Sequence, residues 1–177
     1  IPTEQGTTVQ ANPGALGNAW FVDSIQWVNS PDEEIEALAY FNPSRTAVID
    51  KQWKEKVNLP VSQATDTTAK IRLVSYTPGK LVYEALTPQD RLAVFSEVFY
   101  KTWQATIDSQ PATPVRVNYI LRGLPVPKGK HTIEFTCVDS LYQKSARISL
   151  YASIATGIIL LLLLGFLIRD ELKKPAC

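Results

Sequence analysis

Within the segment VRVNYILRGLPVP, Arg116, Asn118 and Arg122 alternate with other residues so that one extended strand would present all three on a single face, together with Ile120. Two guanidinium groups bracketing an amide have the donors to hold a phosphate or a carboxylate, so these residues are the candidate substrate-binding set. The same groups could equally pair with acidic side chains on a neighbouring strand. His131, the chain's one histidine, stands beside Lys130 at a turn-to-strand junction with no serine or cysteine nucleophile motif near it. A catalytic imidazole needs an orienting partner and a proton to take, and without them a solvent-facing strand position is expected. Asp32, Glu33 and Glu34 have the composition of a carboxylate site, yet their place after Ser30-Pro31 is explained by the positive end of a helix dipole. The sequence carries no Gly-rich phosphate loop, HExxH, EF-hand pattern or CxxC, and it assigns no catalytic residue, no metal and no cofactor.

Composition bounds the function from another side. The 177 residues carry 18 basic and 17 acidic side chains, so the chain lacks the electropositive footprint with which a nucleic-acid binder neutralises phosphates. Cys137 and Cys177 are too few for a disulfide-stapled scaffold and have no zinc-like spacing. Cys137 alternates with Ile133 and Phe135, which places it in the core. Four Trp and seven Tyr could offer flat faces on which sugars stack, although Trp20, Trp27 and Trp103 all fall in strand-like apolar stretches where core packing accounts for them.

The elements that must position these residues are mostly strands. Ala11 to Asn18 is rich in Gly, Pro and Asn, and an apolar strand follows from Ala19 to Val28 with a bulge expected at Asp23-Ser24. Ser30-Pro31 starts a short helix, Asn42-Pro43 stops it, and Thr46 to Asp50 is a short strand before a polar loop from Asn58 to Thr68. Strands are then expected at Ala69 to Tyr76, Leu81 to Leu86, Arg91 to Tyr100, Trp103 to Asp108, Val115 to Arg122 and His131 to Val138. Pro78-Gly79, Pro88-Gln89-Asp90, Ser109-Gln110-Pro111 and Pro127-Lys128-Gly129-Lys130 mark the turns between them. Leu92 to Tyr100 is apolar on both sides and reads as a central strand of two packed sheets.

From Ile148 to Ile168 the chain is uncharged, and at about 1.5 Å rise per residue this run spans the roughly 30 Å of bilayer hydrocarbon. If it crosses a bilayer, Cys137 and Cys177 lie on opposite sides and cannot pair. Arg169, Lys173 and Lys174 after the run, against Lys144 and Arg147 before it, place the tail in the cytoplasm by the positive-inside rule. Ser149, Ser153 and Gly157 recur at every fourth residue and Gly165 continues their face, a stripe small enough for another helix to approach, although small residues are also simply frequent in membrane helices. The chain opens at Ile1-Pro2 with neither an initiator Met nor a signal peptide, which points to a fragment of a longer polypeptide that carries the domain across the membrane.

The expectation is therefore a mainly β fold: an antiparallel β-sandwich with one short α-helix inserted near the N-terminus, plus one C-terminal transmembrane α-helix. Residues 1–18 form a turn-rich leading segment, 19–143 an extracytoplasmic β-sandwich domain, 144–169 the transmembrane helix with its flanks, and 170–177 a short cytoplasmic tail.

The blocks NPGALGNAWFV, DEEIEALAYFNPSRTAVID, LAVFSEVFYKTWQATID and VNYILRGLPVPKGKHTIEF, followed by the closing hydrophobic helix, resemble the carboxy-terminal region of YfhO-family bacterial membrane proteins, particularly those of Bacteroidetes. The resemblance implies a polytopic protein of the GT-C glycosyltransferase type in the bacterial inner membrane. Such a protein takes sugar from a polyprenyl-phosphate carrier and transfers it to a cell-envelope acceptor. The implied partners are the lipid bilayer, upstream transmembrane helices of the same protein, and a polyprenyl-phosphate-linked sugar or envelope glycan. Family catalytic carboxylates belong to loops near amino-terminal helices that this chain does not contain, so none is carried over. Ser109-Gln110, where relatives often have Gly, and the short approach Gln143-Lys144-Ser145 depart from the family pattern and weaken any carry-over of binding residues. The function expected on this basis is a non-catalytic accessory domain of such an enzyme; the alternative is a membrane-anchored surface binding or adhesion module with no enzymatic activity.

Overall fold

The computed structural model describes residues 2–3, 6–7, 12–57, 59, 68–138 and 140–172. Most of the expected polar loop from Asn58 to Thr68, and the end of the tail with Cys177, lie outside the described residues. The chain divides into two compact units, Ile1–Val138 and Asp139–Cys177. In chain order the first contains β1 (Pro2–Thr3), β2 (Gly6–Thr7), β3 (Ala19–Val22), β4 (Ser24–Val28), α1 (Pro31–Ala37), β5 (Thr46–Asp50) and a 3-10 turn (Lys51–Lys56). It continues with β6 (Lys70–Thr77), β7 (Lys80–Thr87), β8 (Arg91–Val98), β9 (Trp103–Ile107), β10 (Gln110–Ala112), β11 (Val115–Val117), β12 (Leu121–Val126) and β13 (Gly129–Cys137). The second unit is the helix α2 (Ser140–Leu172).

Alternation builds the sandwich. Leu81, Tyr83 and Ala85 of β7, Ala105 of β9 and Ile133 and Phe135 of β13 point inward from an antiparallel five-stranded sheet ordered β10-β9-β13-β7-β6. They meet Ala93 and Phe95 of β8 and Leu124 and Val126 of β12, from a second antiparallel sheet ordered β11-β12-β8-β3. Tyr83, Phe95 and Phe135 contact one another edge to face, with ring centroids 4.9, 6.1 and 4.8 Å apart. Such pairs contribute about 0.5–1.5 kcal/mol each beyond the area they bury.

Strand β8 is central, and it is buried on both faces for a reason beyond two packed sheets. Leu92 and Val94 point away from the sandwich core and join Val22, Ala47, Ile49, Val57, Val115 and Val117 in a second core. A third layer covers that face: β4 and β5 pair in parallel, and α1 forms the crossover that parallel strands require. Its start follows the sequence closely. Ser30 caps it by accepting from the Glu33 amide at 3.2 Å, Pro31 takes the first turn, and Glu33 reaches back to accept from the Asn29 amide at 2.8 Å.

The stretch from Ala19 to Val28 is not one bulged strand. The amides of Asp23 and Ser24 both donate to the Arg45 carbonyl, at 2.7 and 3.0 Å, and the chain changes sheets there. Upstream of that point β3 pairs antiparallel with β8, and downstream β4 pairs with β5. Nor is Val115 to Arg122 a single strand. Asn118 and Tyr119 take positive φ, 49° and 67°, and reverse the chain into the β11–β12 hairpin. A second reversal of this kind uses Asp108 (φ 50°) and Ser109 (φ 67°), one residue earlier than the expected Ser109-Gln110-Pro111 turn. Pro111 consequently lies within β10, which is tolerated because β10 is an edge strand. Cys137 is exposed rather than in the core: Phe135 is the last inward residue of β13, and the Cys137 thiol lies 3.5 Å from the Thr102 hydroxyl.

The stretch Lys144–Phe166 of α2 is long and apolar enough to cross a membrane. Its described side chains are exposed, and its apolar residues cover every side of the helix, as lipid requires of a spanning segment. The hydroxyls of Ser153 and Thr156 donate to the carbonyls of Ser149 and Ala152, each at 2.9 Å, which satisfies them without water.

Among the described glycines, Gly123 of β12 has the least room for a side chain. A Cβ there would come within 2.5 Å of the Val117 Cγ1 and 3.3 Å of the Val115 Cγ2, branched side chains with no room to retreat. Gly123→Ala is expected to cost about 1–3 kcal/mol, read as a lowered denaturation midpoint with an unchanged denaturant slope.

Candidate functional site

The structure gives the three polar residues of VRVNYILRGLPVP separate tasks. Arg116 in β11 donates to Glu34 Oε2 at 2.8 Å, and Glu34, fully buried on α1, also accepts from the Tyr119 amide at 2.8 Å. Burial raises the Glu34 pKa, opposed by that amide and by the Arg116 charge. The acidic residue at the fourth helical position is therefore a tie between α1 and the β11–β12 hairpin. Asn118 turns to the backbone of β5: its amide donates to the Val48 carbonyl and its side-chain oxygen accepts from the Val48 amide, both at 2.8 Å. Arg122 lies directly opposite Arg116 in the register but is buried between the rings of Trp103 and Phe135, its guanidinium carbon 4.6 Å from each centroid. Its Nη2 donates to the Val98 carbonyl at 3.2 Å, while Nε and Nη1 make no hydrogen bond among the described residues. Burial lowers its pKa, and the two ring faces give the cation what stabilisation the interior offers.

His131 has the orienting carboxylate that sequence reading did not find. Its Nδ1 lies 2.6 Å from Asp108 Oδ2, and its Nε2 lies 3.1 Å from the Lys128 carbonyl. With acceptors at both nitrogens the doubly protonated ring is favoured, and the Asp108 hydrogen bond raises its pKa. Asp108, which also accepts from the Thr132 amide at 2.8 Å, is held below the usual carboxylate range by that amide and by the imidazole. The pair is a clamp between the β9–β10 turn and β13. A general base needs a ring nitrogen free to take a proton, and here both are engaged.

A cleft opens where β3, the edge of one sheet, meets β6, the edge of the other. It has a volume of about 950 Å³. Half-buried Ala19, Phe21, Ala69 and Ile71 give it an apolar floor, and exposed Lys70, Arg72, Arg45 and Lys130 give it a basic rim. Trp20 forms part of the wall and is oriented by its indole N–H, which donates to the Pro43 carbonyl at 2.8 Å. Asp23 is held by Arg91 and, at 3.2 Å, by Arg45, while Glu84 pairs with Arg72 at 2.7 Å. Neither Lys70 nor Lys130 makes an ion pair among the described residues, and both lie directly across from Leu86 in the sheet register, so β6, β7 and β13 present them in one row. The cleft thus combines apolar surface, an aromatic wall and basic side chains, with the carboxylates of Asp23 and Glu84 also in its lining and Glu84 near enough for the Lys130 charge to help lower its pKa. Sequence reading missed it because its residues come from six separate stretches; the one available signal was the recurrence of Lys and Arg at alternate strand positions. Among the described residues no group of three metal-ligating side chains is found.

On α2, a Cβ added at Gly157 or Gly165 meets nothing within 4 Å, so the face shared with Ser149 and Ser153 is open.

The His131 clamp sets a pH dependence. A raised imidazole pKa contributes stability that is fully present below the ordinary value of about 6.5 and is lost as pH rises through the raised one. The depressed Asp108 contributes above its ordinary range and is lost as pH falls through its lowered value. The melting-temperature difference between the native chain and His131→Gln should therefore be largest near about pH 6 and shrink by about pH 9. A difference constant across that range would show a neutral hydrogen bond instead.

Compared with known protein families, curated proteins and solved structures, the chain finds no match, and the YfhO resemblance rests on its own sequence blocks.

Proposed function

We propose that this chain is the non-catalytic extracytoplasmic accessory domain and last membrane helix of a polytopic GT-C-like glycosyltransferase of the bacterial inner membrane. That enzyme uses a polyprenyl-phosphate sugar donor for cell-envelope glycosylation, and the cleft at the open side of the sandwich receives an anionic saccharide. The observation that carries the binding role is the cleft itself. A phosphate or carboxylate on a sugar complements Lys70 and Lys130, while the apolar floor and Trp20 suit the flat face of a pyranose ring. The membrane helix and the family resemblance support the parent enzyme, and the basic residues after the span support a domain outside the cytoplasm.

A second reading, a membrane-anchored surface binding module with no enzyme attached, shares the cleft. The two differ at α2, because a lone anchor has no use for the open stripe of Ser149, Ser153, Gly157 and Gly165, whereas the last helix of a bundle packs through such a stripe.

Two measurements test this. Titration of the full chain in detergent with undecaprenyl phosphate and with short acidic glycans should give saturable binding. The double variant Lys70→Glu, Lys130→Glu should weaken it at least about tenfold, equivalent to about 1.4 kcal/mol. Absence of binding at millimolar ligand would end the cleft's assignment. Separately, Gly157→Leu in the longer protein should lower its yield and its stability in detergent if α2 packs on other helices; an unaltered protein would favour the module.

A further inference from the structure

The cleft beside β3 and β6 does not end at its basic rim. Leu86 lines it and also lines a second cavity of about 520 Å³, whose other walls are Thr68, Thr87, Pro88, Lys128 and Gly129. The sheet register explains why the two adjoin. Lys70 and Lys130 both lie directly across from Leu86, and Thr87 pairs with Gly129 one step further along the same strands. Beyond that step come Thr68, Pro88 and Lys128, each two residues from a member of the Leu86 row.

The joined surface is an apolar track with cations at its sides. Leu86 is 51% exposed and Pro88 is exposed beyond it, so apolar surface runs along the middle. Exposed Lys70, Lys130 and Lys128 flank it, and none of them makes an ion pair among the described residues. Of the nearby carboxylates, Glu84 pairs with Arg72 at 2.7 Å and Asp90 accepts from the Lys128 amide at 2.8 Å. Neighbouring strands lie about 4.8 Å apart, so Lys70 and Lys130, on either side of β7, leave the sheet about 10 Å apart. Lys128 is offset from Lys130 by at most about 7 Å of chain. A single phosphate could be met by one pair of these lysines, which would leave the third and the Pro88 end of the track unused. A ligand with several negative charges, separated by flat apolar ring faces, uses the whole of it.

We propose that the cleft and the second cavity form one groove for an acidic glycan chain, with its rings over Leu86 and Pro88 and successive anionic residues facing Lys70, Lys130 and Lys128. The proposal rests on the assignment of the cleft to an anionic saccharide. It adds that the ligand is a chain carrying charge on more than one residue, not the phosphate headgroup of a lipid carrier.

Lys128 is a clean probe because the fold uses its backbone: the amide donates to Asp90, and the carbonyl lies 3.1 Å from His131 Nε2. The full chain in detergent is titrated with galacturonic acid, its tetramer, a neutral glucose tetramer and undecaprenyl phosphate. The acidic tetramer should bind at least about twentyfold more tightly than galacturonic acid, beyond the roughly fourfold that four equivalent units give by number alone. Lys128→Gln should weaken the acidic tetramer at least about fivefold while leaving galacturonic acid unchanged, and Lys128→Arg should restore it. A tetramer gain of no more than about fourfold, or one that Lys128→Gln leaves intact, would confine the ligand to the first cleft. That result would overturn the groove and leave the cleft's assignment standing. Equal binding of the neutral tetramer, or tighter binding of undecaprenyl phosphate than of the acidic tetramer, would overturn it as well. Binding of none of the four would remove the cleft's assignment, and the groove with it.

Discussion

The run from Leu92 to Phe95 in β8 leaves no face free for water, all four residues being at most 2% exposed. A strand in that position must be covered twice. The five-stranded sheet covers one side through Tyr83, Ile133 and Phe135, and the other is covered by Ile25 and Trp27 of β4, Ala47 and Ile49 of β5 and Val57 just after the 3-10 turn. The sheet change at Asp23-Ser24 follows from this constraint, because β3 must pair beside β8 while β4 must lie over it. The helix crossover follows as well, since the covering strands are parallel and cannot be joined by a tight turn.

Much of this layout was legible. The positions of β5 to β9 and β13 follow from alternating apolar residues and from turns at Gly79 and Gly129, both at positive φ. The helix start at Ser30-Pro31 is a local matter of capping and dipole, and local matters survive folding unchanged. What was hidden depends on partners distant in the chain. Nothing local distinguishes a bulge at Asp23-Ser24 from a change of sheet, because the deciding group is the carbonyl of Arg45. The turn of the β11–β12 hairpin lacks a glycine, so its reversal at Asn118-Tyr119 left no mark except the tolerance of Asn for positive φ. The cleft is hidden in the same way, as a property of two sheet edges brought together.

Charged residues inside the fold show how readily structural and ligand-binding roles are confused at the sequence level. Arg91, Arg116 and Arg122 all have the donors to grip an anion, yet Arg91 holds Asp23, Arg116 holds Glu34 and Arg122 rests between two rings. Buried ion pairs of this kind add little net stability over apolar packing, because desolvation offsets most of the attraction. Their effect is on uniqueness: Glu34 can satisfy Arg116 and the Tyr119 amide together in only one docking of α1 against the hairpin. Lys70 and Lys130 on the cleft rim differ in making no ion pair among the described residues, although the charge of Lys130 reaches Glu84.

Asn118 bonds with both its backbone and its side chain to Val48, and so occupies the place of a further strand along the outer side of β5. Val48 lies between Ala47 and Ile49 in the middle of β5, where an unpaired strand edge would be open to another strand. One turn residue thereby satisfies both backbone groups that Val48 turns outward from the β4–β5 pair. The left-handed backbone that reverses the hairpin thus also sets the Asn118 side chain against the middle of β5.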